Sequence, residues 1–301
     1  MQKVLITGSS GHLGARTLNM LRTRCEVHAI VRAKPATRCA DVSYHEIDLS
    51  RDWSPGSLPG RMDAVIHLAQ SRNYRDFPAQ AVETYHVNTG STALLLDYAR
   101  QAGVTRFVLA STGGLYQPGT TVIDENTPVN PPQGNLAYYF RTKLSAELLA
   151  EPYSALFDVM VLRPFFIYGP GQSAEKLISR VVASVRDGRS IQLSGDGGLK
   201  INPIHVDDAA ELLSILLKTK GSRTLNVAGP DIVSIRQIAE VAGRFMGISP
   251  VFDFAGGDGD MIVADHSAVS SLLGRDLTAF PVGLRSLLSR LNCSFSGKQY
   301  L

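Results

Sequence analysis

The sequence predicts an α/β fold in which helices cover a doubly wound parallel sheet, with a smaller, interleaved C-terminal part. Short apolar runs alternate with helical patterns through the first half of the 301 residues. This alternation is typical of a parallel sheet with crossover helices. The second half is less regular, because Pro164, Gly169, Pro170 and Gly171 interrupt the pattern.

The predicted strands of the first half coincide with its short apolar runs. Val4–Ile6 is the first strand, and the helical pattern Ala15–Arg22 follows it after a glycine-rich loop. Ser43–Ile47 has the weakest strand pattern, whereas that of Ala64–Leu68 is clear. The other strands of this half are predicted over Val27–Val31, Phe107–Ala110 and Val159–Leu162.

Two longer helices are predicted in the same half. One spans roughly Ala81–Ala102, and the other contains Tyr139–Lys143 and ends before Pro152. Apolar residues three and four positions apart lie on one face of a helix and pack against the sheet. The apolar face of the first helix is predicted to include Leu94, Leu95, Tyr98 and Ala99.

The second half is predicted to leave the sheet and then return to it. A helix near Glu175–Arg186 begins the smaller part, after which Asp207–Leu217 forms an apolar helix and Leu225–Val227 a short strand. This order assigns residues 1–165 and 203–228 to the sheet domain, and residues 166–202 and 229–301 to the smaller part. The tail after Leu291 carries no pattern.

The composition narrows the range of functions. A formal net charge of +3 is too small to indicate a nucleic acid or a membrane surface as a partner. The chain has three cysteines, Cys25, Cys39 and Cys293, which are too few for a disulfide framework. Their spacing is not that of metal ligands, so no metal is expected. The chain has no apolar run of about 18 residues and no signal-peptide pattern, so a cytoplasmic location is expected.

A glycine-rich loop separates the first strand from the first helix, with Gly8, Gly11 and Gly14 spaced three residues apart. The first glycine permits a tight turn, the second lets the backbone approach a pyrophosphate, and the third lets the helix pack closely on the strand. The helix N-terminus favours the negative charge of the phosphates. The loop therefore predicts a Rossmann-type dinucleotide-binding domain, and the residues expected at the cofactor are Gly8, Ser10, Gly11, His12, Leu13 and Gly14.

The end of the second strand bears on the choice between NAD and NADP. NAD sites usually place Asp or Glu there, where the carboxylate binds the ribose 2′-hydroxyl. Here the strand ends in Val31-Arg32. A guanidinium suits a 2′-phosphate because it forms bidentate, charge-assisted hydrogen bonds. The alternative explanation is that Arg32 is a solvated residue at a strand end. The sequence favours NADP, with NAD as the alternative.

Tyr139 and Lys143 are candidates for proton transfer, because residues four apart share one face of a helix. A tyrosine with a pKa of about 10 is a poor acid–base catalyst at neutral pH, and a nearby ammonium lowers that pKa. Thr112 follows the fifth strand, where ligands of such sheets bind, and its hydroxyl can orient a substrate oxygen. Tyr138 has Thr142 at the same spacing, so only Tyr139 has a lysine partner.

These motifs resemble those of the extended short-chain dehydrogenase/reductases, the NAD-dependent epimerase/dehydratase family, which includes many enzymes of sugar-nucleotide metabolism. The resemblance covers nearly the whole chain. The segments that carry it are Thr7–Gly14, Asp48-Leu49, His67-Leu68-Ala69, Asn88, Ser111-Thr112, Tyr139–Lys143, Arg163-Pro164 with Tyr168–Gly171, and Ile204–Asp208.

The resemblance implies a role for most of these positions. It places Asp48 near the adenine, and Ala69 and Asn88 along the cofactor. It makes Thr112, Tyr139 and Lys143 the catalysts, with Lys143 also bound to the nicotinamide ribose. The run that contains His205 and Asp207 is mainly structural in this family. The remaining cofactor-binding positions implied by the resemblance are Leu49, Leu68, Ser111 and Pro164.

Departures from the family pattern narrow the reaction. Sugar-nucleotide 4,6-dehydratases carry an Asp-Glu pair after the catalytic threonine, but this chain has Gly113 and Gly114, so dehydration is not expected. Hexose 4-epimerases have an asparagine where Phe166 stands. An arginine that commonly precedes the Ile-His-Val run is replaced by Ile201, with Lys200 beside it. The last two changes weaken the case for a nucleotide-sugar substrate without removing it.

Three functions remain. The sequence favours an NAD(P)-dependent reductase or dehydrogenase that acts on a secondary alcohol or ketone of a sugar, sugar nucleotide or similar small metabolite. The alternative is a nucleotide-sugar 4-epimerase with tightly bound NAD. A dinucleotide-binding redox sensor without catalysis is a minor alternative, since such relatives typically lose the Tyr or Lys. Apolar residues on the two long helices fit a homodimer, but an internal core explains them equally well.

Overall fold

The structure is a computed structural model that describes residues 1–257 and 259–295. The chain forms two compact units that interleave along the sequence. The first comprises residues 1–117, 128–164 and 210–225, and the second residues 118–127, 165–209 and the described residues from 226 onward. The domain division expected from the sequence stays a prediction, and its last residues, 296–301, lie outside the described part.

The strands of both units are short. In chain order they are β1 Lys3–Thr7, β2 Glu26–Val31, β3 Val42–Glu46, β4 Ala64–His67, β5 Arg106–Ala110, β6 Asp158–Pro164, β7 Ile191–Ser194, β8 Lys200–Ile201, β9 Arg223–Val227, β10 Val233–Ser234, β11 Phe252–Ala255 and β12 Met261–Ile262. Seven of them form one sheet in the order β3-β2-β1-β4-β5-β6-β9. Strands β1 to β6 run parallel, so the predicted fold class is confirmed.

The central strands of this sheet are buried along their length, as parallel strands covered by helices on both faces must be. Val4, Leu5 and Ile6 of β1 are fully buried, and Val4 pairs with Val27 on one side and with Ala64 on the other. Because all six strands run in one direction, their carboxyl ends form a single edge. Ligands of open parallel sheets bind at this edge.

The five predicted helices occur in the predicted order with shifted ends, whereas the last three helices of the described residues were not predicted. They are α1 His12–Leu21, α2 Ala81–Tyr85, α3 Ser91–Gln101, α4 Ala137–Ala150, α5 Leu177–Arg186, α6 Val206–Leu216, α7 Ile235–Met246, α8 Ser267–Leu273 and α9 Phe280–Phe295. Helix α1 begins three residues before the predicted Ala15, because the turn of the glycine loop ends at Gly11. The long helix predicted over Ala81–Ala102 consists of α2, a π-helical turn over His86–Gly90, and α3.

The predicted apolar face of α3 is wrong at one position. Leu95, Tyr98 and Ala99 are buried as expected, but Leu94 is 36% exposed. Leu94 lies one turn from Asp97, which is hydrogen-bonded to exposed side chains, and therefore shares the polar face of the helix. The helical spacing from Asp97 therefore predicts the exposure of Leu94 better than the hydrophobicity of leucine does.

The second unit has its own apolar core and two small sheets. Strands β10, β8 and β12 form one sheet, and β11 pairs with β7 in the other. Ile201 of β8 lies in this core, as do residues of α5, α7 and α9. Ser234 caps the N-terminus of helix α7, and its side chain accepts from the backbone N–H of Gln237 in a reciprocal capping box.

The helices and the cysteines can be compared with the expectations of no membrane span and no disulfide framework. None of the helices in the described residues is long and apolar enough to cross a membrane. Cys25 is buried and Cys39 half-buried, and both are free thiols. The side chain of Cys293 lies outside the described part of the chain.

Adjacent leucines of α3 allow a matched test of the core. We expect Leu95→Ala to lower the free energy of unfolding by about 2–5 kcal/mol, because it leaves a cavity among fully buried residues. Leu94→Ala, on the polar face, is expected to change it by no more than about 0.5 kcal/mol. Urea denaturation of both variants at one protein concentration measures this difference, and equal losses would contradict the assignment of the two faces.

Candidate active site

The glycine loop brings backbone segments too close together for side chains. Gly8 has φ +69°, and a Cβ atom on it would lie 2.7 Å from the carbonyl carbon of Leu68. A Cβ on Gly14 would lie 2.1 Å from the carbonyl oxygen of Gly8, because α1 packs directly on the turn. Both positions therefore require glycine, and the turn leaves a cradle of backbone that a larger residue would fill.

The N-terminus of α1 faces this cradle without a competing side chain. The helix starts after Gly11, which offers no side-chain cap, and its first turn carries no acidic residue. Ser10 is exposed, while His12 and Leu13 are half-buried. Backbone N–H groups and the helix dipole are thus available to a negatively charged group. This arrangement fits a dinucleotide pyrophosphate.

The ends of β2 and β3 bring a guanidinium close to a carboxylate. Arg32 is exposed, and its charge helps to lower the pKa of Asp48. The larger cause is the pair of hydrogen bonds that Asp48 accepts from the hydroxyl and backbone N–H of Ser50, at 2.6 Å and 3.0 Å. Leu49 beside it is buried in the apolar core. Asp48, expected near the adenine, and Arg32, expected at a 2′-phosphate, therefore lie near each other at this edge, and their contacts with a cofactor stay predictions.

A buried histidine fixes the loop that follows β4. Thr7 Oγ1 lies 2.7 Å from His67 Nδ1 and accepts a hydrogen bond from the backbone N–H of Ala69 at 3.1 Å. His67 Nε2 lies 3.0 Å from Thr92 Oγ1, which itself donates to the carbonyl of Asn88. Burial lowers the pKa of His67 to about 3, so the ring is neutral with its proton on Nε2. This chain of bonds sets the position of Ala69, which is expected at the cofactor.

Asn88 lies in the π-helical turn and is buried. Its Oδ1 accepts from the backbone N–H of Ser71 at 3.0 Å, and its Nδ2 donates to Thr142 Oγ1 at 3.0 Å. Both ends of the amide are thus engaged by the protein. The structure places Asn88 as a bridge between the loop after β4 and helix α4, while its expected contact with the cofactor stays a prediction.

Lys143 is a buried cation at the carboxyl end of β5. Its Nζ donates to the carbonyl of Ala110 at 2.6 Å. Burial lowers the pKa of Lys143 to about 8, and the negative charge of Glu147 opposes this shift. Lys143 is therefore mostly protonated at neutral pH, but it loses its proton at a lower pH than an ordinary lysine does.

Tyr139 lies one turn before Lys143, buried near the end of β5. Its hydroxyl donates to Gln70 Oε1 at 3.0 Å. Burial raises the pKa of Tyr139, and a hydrogen bond with the Thr112 side chain opposes that shift. Thr112 Oγ1 also accepts from the backbone N–H of Gly114 at 3.1 Å, which orients the threonine. A neutral phenol beside a threonine hydroxyl can donate a proton to a substrate oxygen.

Two of the other expected cofactor residues flank this centre. Ser111 lies between Ala110 and Thr112 and is buried. Its Oγ has no hydrogen-bond partner among the described residues. An orphaned buried hydroxyl is costly unless a ligand satisfies it, so Ser111 fits the cofactor role expected from the sequence. Pro164 ends β6 and is half-buried.

A buried ion pair behind Lys143 is a feature that the sequence reasoning missed. Arg163 binds both carboxylate oxygens of Glu147, at 2.6 Å and 3.1 Å, and donates to the hydroxyl of Tyr116 at 2.6 Å. Glu147 follows Lys143 by four residues, so the helical spacing could have revealed it. Gln70 and Tyr74, which contact Tyr139, carried no such signal, because they lie on an irregular loop.

The ring of Phe140 explains why small residues follow Thr112. A Cβ on Gly114 would lie 2.3 Å from Phe140 Cε1, so the ring occupies the place where a side chain would begin. A glutamate at this position would have to displace the ring. The Gly113-Gly114 pair and Phe140 are therefore one structural feature, consistent with the expected lack of dehydratase chemistry.

Comparison with protein families matches residues 4–228 to the NAD dependent epimerase/dehydratase family. The chain belongs to this family. The resemblance inferred from the motifs is thereby confirmed, as is the assignment of the chain as an NAD(P)-dependent enzyme of the extended short-chain type.

Individual relatives differ in the reaction they catalyse. A UDP-glucuronate 4-epimerase of Thermodesulfobacterium geofontis is 32% identical over 189 residues, which are 62% of this chain and 58% of the relative. A dTDP-4-dehydro-6-deoxy-D-allose reductase of Streptomyces bikiniensis is 28% identical over 267 residues, which are 81% of each chain. The solved structure of MoeE5 in complex with UDP-glucuronic acid and NAD has 28% identity and a TM-score of 0.82, covering 97% of this chain and 99% of its own.

The buried charge of Lys143 predicts a pH-dependent stability of the cofactor-free protein. The folded pKa of Lys143, about 8, is below the ordinary lysine pKa of 10.5, so the unfolded chain binds more protons between these pH values. Stability of the wild type should therefore rise from pH 8 to pH 10 relative to Lys143→Met. At about 1.4 kcal/mol per pKa unit, the full relative gain is of the order of 3 kcal/mol. Urea denaturation across this range measures it, and parallel curves would contradict a buried, weakly held charge.

Proposed function

We propose that this protein is an NAD-dependent 4-epimerase of a nucleotide sugar, which oxidises the C4 alcohol and reduces the resulting ketone from the other face. The observation that carries the proposal is the Tyr139 hydroxyl beside Thr112, with buried Lys143 one helical turn away. Two similar proteins support this choice of reaction and substrate. One is the UDP-glucuronate 4-epimerase of Thermodesulfobacterium geofontis, and the other is MoeE5, whose structure contains UDP-glucuronic acid and NAD.

In this mechanism Tyr139 moves a proton to and from the C4 oxygen. Burial keeps its phenol protonated in the free site, so acceptance of a proton requires nearby positive charge. The ammonium of Lys143 provides part of that charge, and the hydroxyl of Thr112 orients the sugar oxygen. NAD, when bound, supplies the hydride acceptor. The glycine loop, the N-terminus of α1, Asp48 and Ser111 are the groups that would hold it.

A dehydratase reaction lacks the groups it needs. Elimination of water requires an acid and a base beyond the tyrosine, and Gly113 and Gly114 provide no side chain. Phe140 fills the space next to Gly114. The keto sugar would therefore be reduced again without losing water.

A reductase, which the sequence alone favours, is the second candidate. The exposed Arg32 at the end of β2 fits the 2′-phosphate of NADP, and a Streptomyces sugar-nucleotide reductase is among the relatives. A reductase releases its oxidised cofactor after each turnover, whereas an epimerase regenerates it within the site. The two candidates therefore differ in whether the purified protein retains a dinucleotide.

We also propose that the protein is a homodimer. Val82 and Tyr85 on α2, and Leu148 and Leu149 on α4, are between 41% and 69% exposed, which supports a covered apolar surface on these helices. A mass of two chains by light scattering would agree with this proposal, and a mass of 32.5 kDa would not.

Replacement of the candidate acid–base group tests the proposed chemistry. We expect Tyr139→Phe to lower kcat for the epimerisation of UDP-glucuronate by a factor of about 10²–10⁴, because the proton transfer is lost. Affinity for NAD should stay near that of the wild type, since the ring remains. Steady-state kinetics and calorimetric titration with NAD measure the two effects.

Tyr138→Phe is the matched control. The Tyr138 hydroxyl donates to the carbonyl of Ala81 and lies on the neighbouring position of the same helix. Its removal should leave kcat within a few-fold of the wild-type value. Equal activity of the two variants would show that the phenol of Tyr139 takes no part in catalysis.

The retained cofactor separates the epimerase from the reductase. We expect the purified protein, after denaturation, to release close to one NAD per chain, as identified by mass spectrometry. A site that is empty after purification and binds NADPH more tightly than NADH would favour the reductase instead. In that case Arg32→Ala should remove the preference for NADPH, because the preference would come from the bonds between the guanidinium and the 2′-phosphate.

A further inference from the structure

Arg75 lies on the loop between β4 and α2, one aromatic ring away from Tyr139. The ring centres of Tyr74 and Tyr139 are 4.8 Å apart. The Arg75 guanidinium lies 5.1 Å from the centre of the Tyr74 ring, and its Nε donates to the Tyr74 hydroxyl at 3.1 Å. The cation is close enough to lower the pKa of Tyr139, which burial raises. Arg75 is therefore a positive charge held beside the candidate acid–base group.

The terminal nitrogens of Arg75 are available to a ligand. Among the described residues, no acceptor forms a hydrogen bond or ion pair with its Nη1 or Nη2. This state contrasts with Arg163, whose guanidinium is fully engaged by Glu147 and Tyr116. The Arg75 fork thus retains the geometry that binds a carboxylate in a bidentate manner.

A pocket of about 370 Å³ surrounds this guanidinium. Asn135 contributes an amide, and no acidic residue is among the residues that line the pocket, which are Arg75, Phe77, Gly134, Asn135 and Leu136. The Phe77 ring stacks on Tyr138 at 4.9 Å, and Tyr138 in turn is tied to α2 by its hydroxyl. The pocket therefore has a fixed aromatic wall, one cation and no competing anion.

We propose that Arg75 binds a carboxylate of the substrate, so that the sugar turned over by this enzyme is a nucleotide-linked hexuronate. This inference rests on the proposed function and names its substrate class. In a hexuronate the carboxylate is attached to C5, the carbon adjacent to the C4 that reacts at Tyr139. One aromatic ring separates Tyr139 from Arg75, which suits two groups on neighbouring sugar carbons.

The diphosphate of the same substrate is the other oxyanion that an arginine could bind. It is attached at C1, on the far side of the sugar ring from C4. Because C4 reacts at Tyr139, a guanidinium close to Tyr139 reaches the substituent on C5 before it reaches the phosphates on C1. Asn135, with its amide donors, can bind a second carboxylate oxygen or a ring hydroxyl.

A pair of substrates that differ only at C6 tests the inference. UDP-glucuronate and UDP-glucose share the nucleotide and the diphosphate, and only the first has the carboxylate. We expect Arg75→Gln to lower kcat/KM for UDP-glucuronate by about tenfold to hundredfold, as for a lost charge-assisted hydrogen bond. The value for UDP-glucose should fall much less, because that substrate loses only the positive charge that Arg75 places near Tyr139. Arg75→Lys should lower kcat/KM for UDP-glucuronate less than Arg75→Gln does, because lysine keeps the positive charge although it lacks the planar guanidinium.

Arg72→Gln is the matched control, because Arg72 is exposed on the same loop but does not line the pocket. It should leave both substrates unaffected. Equal losses of Arg75→Gln on the two substrates would show that Arg75 acts through the diphosphate or through Tyr139, and would overturn the inference, as would no loss at all. Wild-type turnover of UDP-glucose without UDP-glucuronate would overturn it while the proposed epimerase stands. Turnover of neither sugar would overturn both.

Discussion

The hydrogen bond from Lys143 Nζ to the carbonyl of Ala110 is the contact on which the candidate site depends. It joins helix α4 to the end of β5 through a charged donor in a buried place, where its loss would leave an unsatisfied cation. Tyr139 lies one turn earlier on the same helix, and Thr112 lies two residues beyond Ala110. This bond therefore ties the helix that carries Tyr139 to the strand end that carries Thr112, and the lowered pKa of Lys143 shows what its burial costs.

The sequence was sufficient for those parts of the molecule that repeat a pattern. The strands could be predicted because β1 and β4 are buried along their length, and Gly8 and Gly14 because the backbone leaves no room for a side chain. The π-helical turn at His86–Gly90 and the contact of Gln70 with Tyr139 could not be predicted. They arise from tertiary packing between an irregular loop and α4, and no periodicity reports on such contacts.

The packing of Phe140 against Gly114 links the fold to the choice of reaction. In this chain the backbone after Thr112 turns so tightly on the Phe140 ring that no side chain fits at residue 114. The same turn directs the backbone N–H of Gly114 to the Thr112 hydroxyl. The loss of acid–base groups for elimination and the orientation of Thr112 are consequences of one local geometry. A side chain at residue 114 would therefore require the Phe140 ring to move.

The loop between β4 and α2 has a firmly held beginning and a more exposed end. Its first residues are fixed by His67 and Asn88, whose hydrogen bonds reach back to the sheet and across to α4. Arg75 lies farther along, where the loop is exposed and held mainly by aromatic contacts. Substitution of such a residue disturbs few buried contacts, whereas substitution of His67 would disturb the sheet edge itself. The same loop contacts Tyr139 through Gln70 and Tyr74, while the bond of Lys143 to Ala110 ties helix α4 to β5 independently of the loop.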